Sequence, residues 1–177
     1  MDTDALCTRR LLLEPMSPGL AAAVMSQDWS GAARLLDADF PPEWRDDGWQ
    51  WLAKQAELGV HDARYVAWGT RLARCVVGED RAVLAEVGFH RPPDPEGWAE
   101  IGFRVVAEHR RTGLAREAVT ALLSWAGRQG ARGVQASAGP DNAPSLALLD
   151  DLGFTRTSSR VHPVLGELVV LRRRCDA

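Results

Sequence analysis

Apolar residues change their spacing along the second half of the chain. A largely apolar run at residues 101–106 has the length and composition of a buried or half-buried strand. Beyond a polar turn, apolar side chains recur every three or four residues, at Leu114, Ala115, Ala118, Val119, Leu122, Leu123 and Ala126. The pattern predicts a strand that a tight turn joins to a long amphipathic helix.

A second segment of similar kind follows this helix. Residues 133–137 read as a strand, and a short helix is predicted after it, because Asn142 suits a helix cap and Pro144 suits the first helical turn. Gly153 supplies the left-handed residue that commonly ends a helix. The order strand, helix, strand implies two parallel strands that are joined by a crossover helix.

The remaining elements mix helices with strands. Helices are predicted at residues 18–27, from Ser30 onward, and at 43–58 after a proline break. Strands are predicted at residues 10–14, in a hairpin of 65–77 with 81–90, and in a final hairpin of 159–162 with 167–172. Together the elements predict an α/β fold.

The turn before the long helix has the chemistry of an anion site. The first N–H groups of a helix have no partner within it and carry partial positive charge. Gly113 lets the backbone approach a ligand closely, and Arg110 and Arg111 add positive charge. Neither Gly-Lys-Ser/Thr after a glycine loop nor G-x-G-x-x-G occurs, so two better-known phosphate motifs are excluded.

These segments resemble the GNAT superfamily of acetyl-CoA-dependent N-acetyltransferases. The first motif of that family, Gln/Arg-x-x-Gly-x-Gly/Ala, is matched by Arg110, Gly113 and Ala115. The second, an Asn-x-x-Ser helix that ends in Leu-Gly-Phe, is matched by Asn142, Ser145, Leu152, Gly153 and Phe154. Residues 8–15 are similar to the opening strand of the branch that includes the ribosomal-protein N-terminal acetyltransferases.

The resemblance implies both a fold and an activity. The fold is a mixed, splayed central sheet of about six or seven strands flanked by helices, and residues 1–177 make a single N-acetyltransferase domain. The activity is transfer of an acetyl group from acetyl-CoA to a primary amine, by direct attack in a ternary complex. A protein N-terminus or a small-molecule amine is expected as the acceptor.

The resemblance also assigns residues to the acetyl-CoA site. Backbone groups near Val105 and Val106 are expected to contact the pantetheine arm and to polarise the thioester carbonyl. The pyrophosphate is expected at the turn, against Arg110, Arg111, Thr112, Gly113, Leu114 and Ala115. Asn142 and Ser145 are expected to line the other side of the cofactor, near its sulfur.

Proton transfer needs a base, because a protonated amine cannot attack a thioester. Glu100 matches the strand carboxylate of the family, and Glu86 in the neighbouring strand is the second candidate. The alternative is that both glutamates make ion pairs on a sheet face, and His90 and His109 are further candidates for the base.

The departing thiolate raises a separate question. Many members of the family have a tyrosine where this chain has Leu149. Ser145 is a weaker candidate for the acid at the sulfur, and a coenzyme A thiolate leaves without a strong acid.

The acceptor pocket is expected in the part that matches the family least, at residues 30–69. Aromatic side chains there could form its wall, and they are Phe40, Trp44, Trp49 and Trp51. The alternative is that these rings pack in the core.

Composition narrows the class further. The formal net charge of −3 gives no basic face, so nucleic acid is not indicated as a partner. Cys7, Cys75 and Cys175 include no C-x-x-C pair, which argues against a disulfide framework and a metal site. With no apolar run of membrane-spanning length and no leader pattern, we expect a cytoplasmic monomer or homodimer. The alternative function is a catalytically silent acyl-CoA-binding sensor or partner module.

Overall fold

The computed structural model describes residues 5–45, 62–76 and 81–175 as a mixed sheet with helices on both faces. The strands are β1 (Leu6–Cys7), β2 (Leu11–Pro15), β3 (Thr70–Cys75), β4 (Val83–Phe89), β5 (Trp98–Val105), β6 (Gly133–Ala138), β7 (Thr155–His162) and β8 (Gly166–Arg174). The helices are α1 (Pro18–Met25), α2 (Trp29–Leu36), α3 (Ala63–Trp68), α4 (Leu114–Arg128) and α5 (Ala143–Asp151), with a 3₁₀ turn at Ala107–His109.

The sheet contains eight strands in the order β1-β2-β3-β4-β5-β6-β8-β7. Neighbouring strands are antiparallel except β5 and β6, which are parallel and are connected through α4, as predicted. The described sheet therefore has one strand more than the upper end of the predicted six or seven. The additional strand, β1, pairs with Leu12 and Leu13 of β2 and is only two residues long, so it leaves no periodic signal in the sequence.

Two apolar clusters hold the helices against the sheet. One face packs against α4 and α5, where the rings of Trp68, Phe89 and Trp125 meet edge to face or stacked. The other face packs against α1 and α2. Leu72 and Ala73, adjacent in β3, belong to different clusters, as the alternation of side chains along a strand requires.

The ends of the helices have local causes. The Asn142 side chain accepts a hydrogen bond from the Ser145 amide (3.3 Å) and caps α5, whose first turn contains Pro144. Gly113 and Gly130 flank α4, and both have φ of +83°. The predicted positions of α4 and α5 are therefore confirmed, together with the capping chemistry proposed for α5.

The prediction of an extended run at residues 65–77 is wrong over its first part. The Asp62 side chain accepts a hydrogen bond from the Arg64 amide and caps the short helix α3, so the strand begins only at Thr70. The final hairpin is longer than predicted and starts at Thr155. Most of the helix predicted at residues 43–58 lies outside the described residues.

The sheet parts between β5 and β6. Their pairing starts at Trp98↔Gly133 and ends at Ile101↔Ala136. Beyond that point β5 stays with β4 as far as Val105, while β6 continues along β8. The expected splay is therefore present, and the two parallel strands diverge toward the start of α4.

Candidate functional site

A cleft of about 590 Å³ lies where β5, the turn before α4 and the start of α5 meet. Both backbone and side chains form its wall, which consists of Phe103, Arg104, Val105, His109, Arg110, Arg111, Gly113, Leu114, Ala115, Arg116, Asn142, Pro144, Ser145 and Leu148. The cleft thus joins the parted strands to two helix starts.

The turn is shaped to present amide groups. Arg111 and Gly113 both have positive φ, at 62° and 83°. The helical hydrogen bonds of α4 begin with the Glu117 amide, which donates to the Gly113 carbonyl (3.1 Å), and no side chain caps Gly113. The amides that precede Glu117 in the first turn therefore remain available for an anion in the cleft.

Hydrogen bonds within the loop fix this conformation. The Thr112 hydroxyl donates to the His109 carbonyl (2.5 Å), and the Arg110 Nε donates to the Val105 carbonyl (3.0 Å). The second bond ties the turn to the end of β5. With Arg110, Arg111 and Arg116 on the wall, the site is electropositive and suited to a phosphate group.

Helix α5 forms the opposite wall. Asn142 and Ser145 lie there, beside Pro144 and Leu148. An exposed ion pair between Arg116 Nη2 and Asp151 Oδ2 (2.6 Å) connects α4 with α5. One wall is therefore charged and the other is mixed polar and apolar, which matches a ligand with a phosphate end and a less polar arm.

The structure brings most of the predicted cofactor residues together. All except Val106 and Thr112 line the cleft. Val106 is buried in the second apolar cluster, and its amide donates to the Leu84 carbonyl (2.9 Å). The cleft wall also contains residues that the sequence did not indicate as cofactor contacts, namely Phe103, Arg104, Arg116, Pro144 and Leu148, and His109, which was a candidate only for the base. The spacing of Ser145 and Leu148 on one helix face was the available signal for Leu148.

Glu100 lies in a network of donors. Its side chain is 5% exposed and accepts hydrogen bonds from Ser137 (2.9 Å), Gln135 (3.2 Å) and Arg160 (2.5 Å). Burial opposes its ionisation, but the Ser137 hydrogen bond and the charges of His90 and Arg160 outweigh it, so the pKa of Glu100 is lowered. Glu100 is therefore held as a carboxylate that already has its partners.

Glu86 has a different environment. It is 8% exposed, and its Oε1 lies 3.7 Å from Arg104 Nε, too far for a hydrogen bond. Its Oε2 is buried without a hydrogen-bond partner in the described part of the chain. Burial raises the pKa of Glu86 to about 7, and the charge of Arg104 offsets this only in part. A carboxyl group of this kind takes up and releases protons near neutral pH.

Arg104 connects Glu86 with the cleft. It faces Glu86 across the β4–β5 pair and also lies on the cleft wall. Its guanidinium stacks on the Trp44 ring, with 4.4 Å from Cζ to the ring centroid, and Trp44 is fixed by a hydrogen bond to the Val83 carbonyl (2.9 Å). Arg104 is thus oriented on one side by an aromatic ring and on the other by a carboxyl group.

Of the four aromatic residues proposed for the acceptor pocket, two are buried and two lie outside the described residues. Phe40 and Trp44 are buried in the second apolar cluster, as the alternative interpretation expected, and Trp44 approaches the cleft only through Arg104. Trp49 and Trp51 lie outside the described residues. Leu149, at the position of the family's tyrosine, is buried in the first cluster.

Several other features bear on the class of site. Among residues 5–45, 62–76 and 81–175, no group of three or more His, Cys, Asp or Glu side chains could hold a metal ion. Cys7, Cys75 and Cys175 form no disulfide with one another. None of the described helices is both long and apolar enough to cross a membrane.

Comparison with known proteins agrees with this geometry. The model of the acetyltransferase (GNAT) domain family matches residues 10–155. The chain is 37% identical to the uncharacterized N-acetyltransferase YjdG of Bacillus subtilis over 149 residues, which cover 83% of this chain and 87% of YjdG.

Solved structures show the same fold. RimL, a ribosomal alpha-N-protein acetyltransferase in complex with coenzyme A, has a TM-score of 0.70 at 15% identity and covers 98% of this chain and 99% of its own. A GNAT-family acetyltransferase from Bacillus anthracis has a TM-score of 0.65 at 17% identity, with 97% of this chain and 98% of its own covered.

Proposed function

Because this chain belongs to the GNAT family of acetyltransferases, we propose that it moves an acetyl group from acetyl-CoA to the primary amine of a small molecule or a protein N-terminus. The chain is an acyltransferase, and dependence on acetyl-CoA is general for its family. The observation that carries the proposal is the cleft, in which parted parallel strands lead to a helix start whose amides are available.

The residues of the cleft fit acetyl-CoA. The amides of Gly113, Leu114 and Ala115, with the side chains of Arg110 and Arg111, would hold the diphosphate. Beyond Ile101, the amides and carbonyls of β5 that do not pair with β6 would bind the pantetheine arm. Asn142 and Ser145 would lie across from the arm. When bound, acetyl-CoA supplies the acetyl group as an activated thioester.

We assign Glu86 as the base that takes the proton of the attacking amine. A base works best when its pKa lies near the operating pH, and the pKa of Glu86 is about 7. Its Oε2 accepts no hydrogen bond from a described residue, whereas the oxygens of Glu100 are engaged by three side chains. Glu86 faces Arg104 and does not itself line the cleft, so it would receive the proton through water, while Glu100 organises the sheet beside the gap.

Glu86→Gln tests this role, with Glu96→Gln in the exposed loop before β5 as the matched control. We expect release of free thiol from acetyl-CoA, measured with a panel of amines, to fall by about a hundred-fold in Glu86→Gln. The carboxylate form of Glu86 increases as pH rises through about 7, so the ratio of parent to variant kcat/KM should rise over the same interval. A ratio that stays constant with pH would assign the base elsewhere.

A second candidate function is a catalytically silent acyl-CoA-binding sensor or partner module. It is favoured by the buried Leu149, which leaves no phenol at the position of the family's tyrosine. Both functions predict coenzyme A binding in the cleft, so the thiol-release measurement separates them. Binding of coenzyme A by calorimetry without turnover of any amine would support the silent module.

A further inference from the structure

The turn that presents the amides is held in a strained conformation. Arg111 has a φ of 62°, a left-handed backbone that residues other than glycine disfavour, and Gly113 follows with a φ of 83°. Such a turn persists only when contacts around it over-determine its shape. Those contacts come partly from a distant segment of the chain, at the start of β2.

Arg10 reaches the turn from that segment. Its Nη1 donates to the Thr112 carbonyl (3.0 Å), and its Nε donates to Glu117 Oε2 (2.7 Å). Its backbone amide donates to Glu117 Oε1 (2.7 Å), which also accepts from the Thr8 hydroxyl (2.6 Å). One guanidinium therefore contacts a carbonyl before Gly113 and a carboxylate in the first turn of α4.

The contact with the Thr112 carbonyl fixes the direction of the Gly113 amide, which belongs to the same peptide group. In a trans peptide the C=O and the next N–H point in opposite directions, and the described chain has no cis bonds. Because Arg10 holds the Thr112 carbonyl, the Gly113 amide is directed away from Arg10. Gly113 lies between the cleft and an open groove behind the turn and lines both, whereas Arg10 lines the groove and not the cleft.

The contact with Glu117 affects the negative charge close to the turn. A carboxylate in the first turn of a helix occupies the same positive field that a bound phosphate needs. Both oxygens of Glu117 are engaged by Arg10 and Thr8, and the carboxylate lies on the groove side together with them. Its charge is thus offset and kept out of the cleft.

We propose that Arg10 is a positioning residue for the cofactor, which acts from behind the turn by directing the Gly113 amide into the cleft and by neutralising Glu117. The proposal rests on the proposed function, since it concerns the diphosphate of coenzyme A. Arg10 itself does not touch the cofactor.

The test compares Arg10→Met with Arg9→Met, which removes the same charge from the neighbouring exposed residue. Calorimetry gives the Kd of coenzyme A, and steady-state kinetics give kcat and KM with two donors. The donors are acetyl-CoA and S-acetylpantetheine, which has the thioester arm but no diphosphate. Arg10→Lys keeps the charge but lacks the planar guanidinium that reaches Thr112 and Glu117 through two separate nitrogens.

In Arg10→Met we expect the Kd of coenzyme A and the KM of acetyl-CoA to rise about ten-fold, with kcat unchanged. The kcat/KM with S-acetylpantetheine should stay within about two-fold of the parent value. Arg9→Met should match the parent, and Arg10→Lys should lie between. Adding Glu117→Gln to Arg10→Met should recover part of the affinity, because the uncompensated carboxylate is gone.

Two outcomes would overturn the proposal. One is an Arg10→Met protein that binds coenzyme A as tightly as the parent, whether or not the parent acetylates any amine. The other is an equal loss with both donors, which would mean general damage to the fold. A parent protein that binds no coenzyme A would overturn the proposed function as well, so the two failures can be told apart.

Discussion

Glu86 and Glu100 show how the surroundings of one residue type decide its chemistry. Both are buried in neighbouring strands of one sheet. Glu100 has three side-chain donors, and its pKa is lowered. Among the described residues Glu86 has Arg104 as its charged neighbour, at 3.7 Å, and burial raises its pKa to about 7. The first is therefore suited to a structural role and the second to proton transfer.

Loss of the Glu100 charge should lower stability. In Glu100→Gln we expect the free energy of unfolding to fall by about 2 kcal/mol, because Arg160 and Ser137 lose a carboxylate partner. Thermal unfolding measures the effect. Glu167→Gln, at an exposed position near the start of β8, is the control. A variant as stable as the parent would contradict the structural role.

The pH dependence of this loss follows from the sign of the shift. The folded-state pKa of Glu100 is below its ordinary value of 4.5, so its stabilisation is complete above pH 4.5. It is lost as pH falls through the lower folded-state value. The difference in melting temperature between parent and Glu100→Gln should therefore be constant near neutral pH and should disappear in acid.

The sequence could place both glutamates in strands but could not rank them. The donors that lower the pKa of Glu100 include Arg160, sixty residues away along the chain. The burial that raises the pKa of Glu86 comes from packing across β4 and β5. Neither is a local property, so the preference for Glu100 rested on its position in the family motif alone.

At the scale of elements, α4 has a glycine of the same φ at each end. A Cβ at Gly113 would lie 3.4 Å from Arg10 Nη2, and a Cβ at Gly130 would meet nothing within 4 Å. Both positions have φ of +83°, so both substitutions strain the backbone. Comparing substitutions at these two glycines therefore distinguishes the effect of backbone strain from an effect on the cleft.

We expect Gly113→Ala and Gly130→Ala each to lower the free energy of unfolding by about 1 kcal/mol. Only Gly113→Ala should weaken coenzyme A binding, because it crowds Arg10 and shifts the amides that face the cleft. Chemical denaturation and calorimetry measure the two quantities. Equal effects of both variants on coenzyme A affinity would contradict the assignment of the turn.

Local signals decided which elements the sequence could predict. Helix α5 has its capping asparagine and proline within its own first turn, and it was placed correctly. Helix α3 has only six residues and an apolar run without a clear period, so the pattern predicts a strand there, although Asp62 caps a helix. A short cap signal was outweighed by the apolar run that follows it.

For the whole molecule, the parting of β5 from β6 is the feature that connects fold and activity. Residues 102–105 of β5 pair only with β4, so the backbone groups on their other side have no strand partner. The family motifs predicted this parting together with the turn that it leads to. They could not predict the buried positions of Phe40 and Trp44, which depend on how α1 and α2 pack on the opposite face.

Hydrogen–deuterium exchange can test this use of the gap. We expect peptides that contain residues 102–105 and the first turn of α4 to exchange more slowly when coenzyme A is added, because the arm and the diphosphate would bind the free amides in these peptides. The β7–β8 hairpin should be unchanged and serves as the internal control. Protection of the α4 turn without any change in β5 would contradict binding of the arm in the gap.

The gap between β5 and β6 also has a cost for the empty protein. Unpaired strand groups are a template for any extended peptide that reaches them, including a segment of an unfolded neighbour. An acyl donor bound as proposed would fill that position with a molecule that cannot propagate a strand. The acyl donor would then also protect the protein against unwanted β-pairing, and its solubility would depend on the supply of that donor.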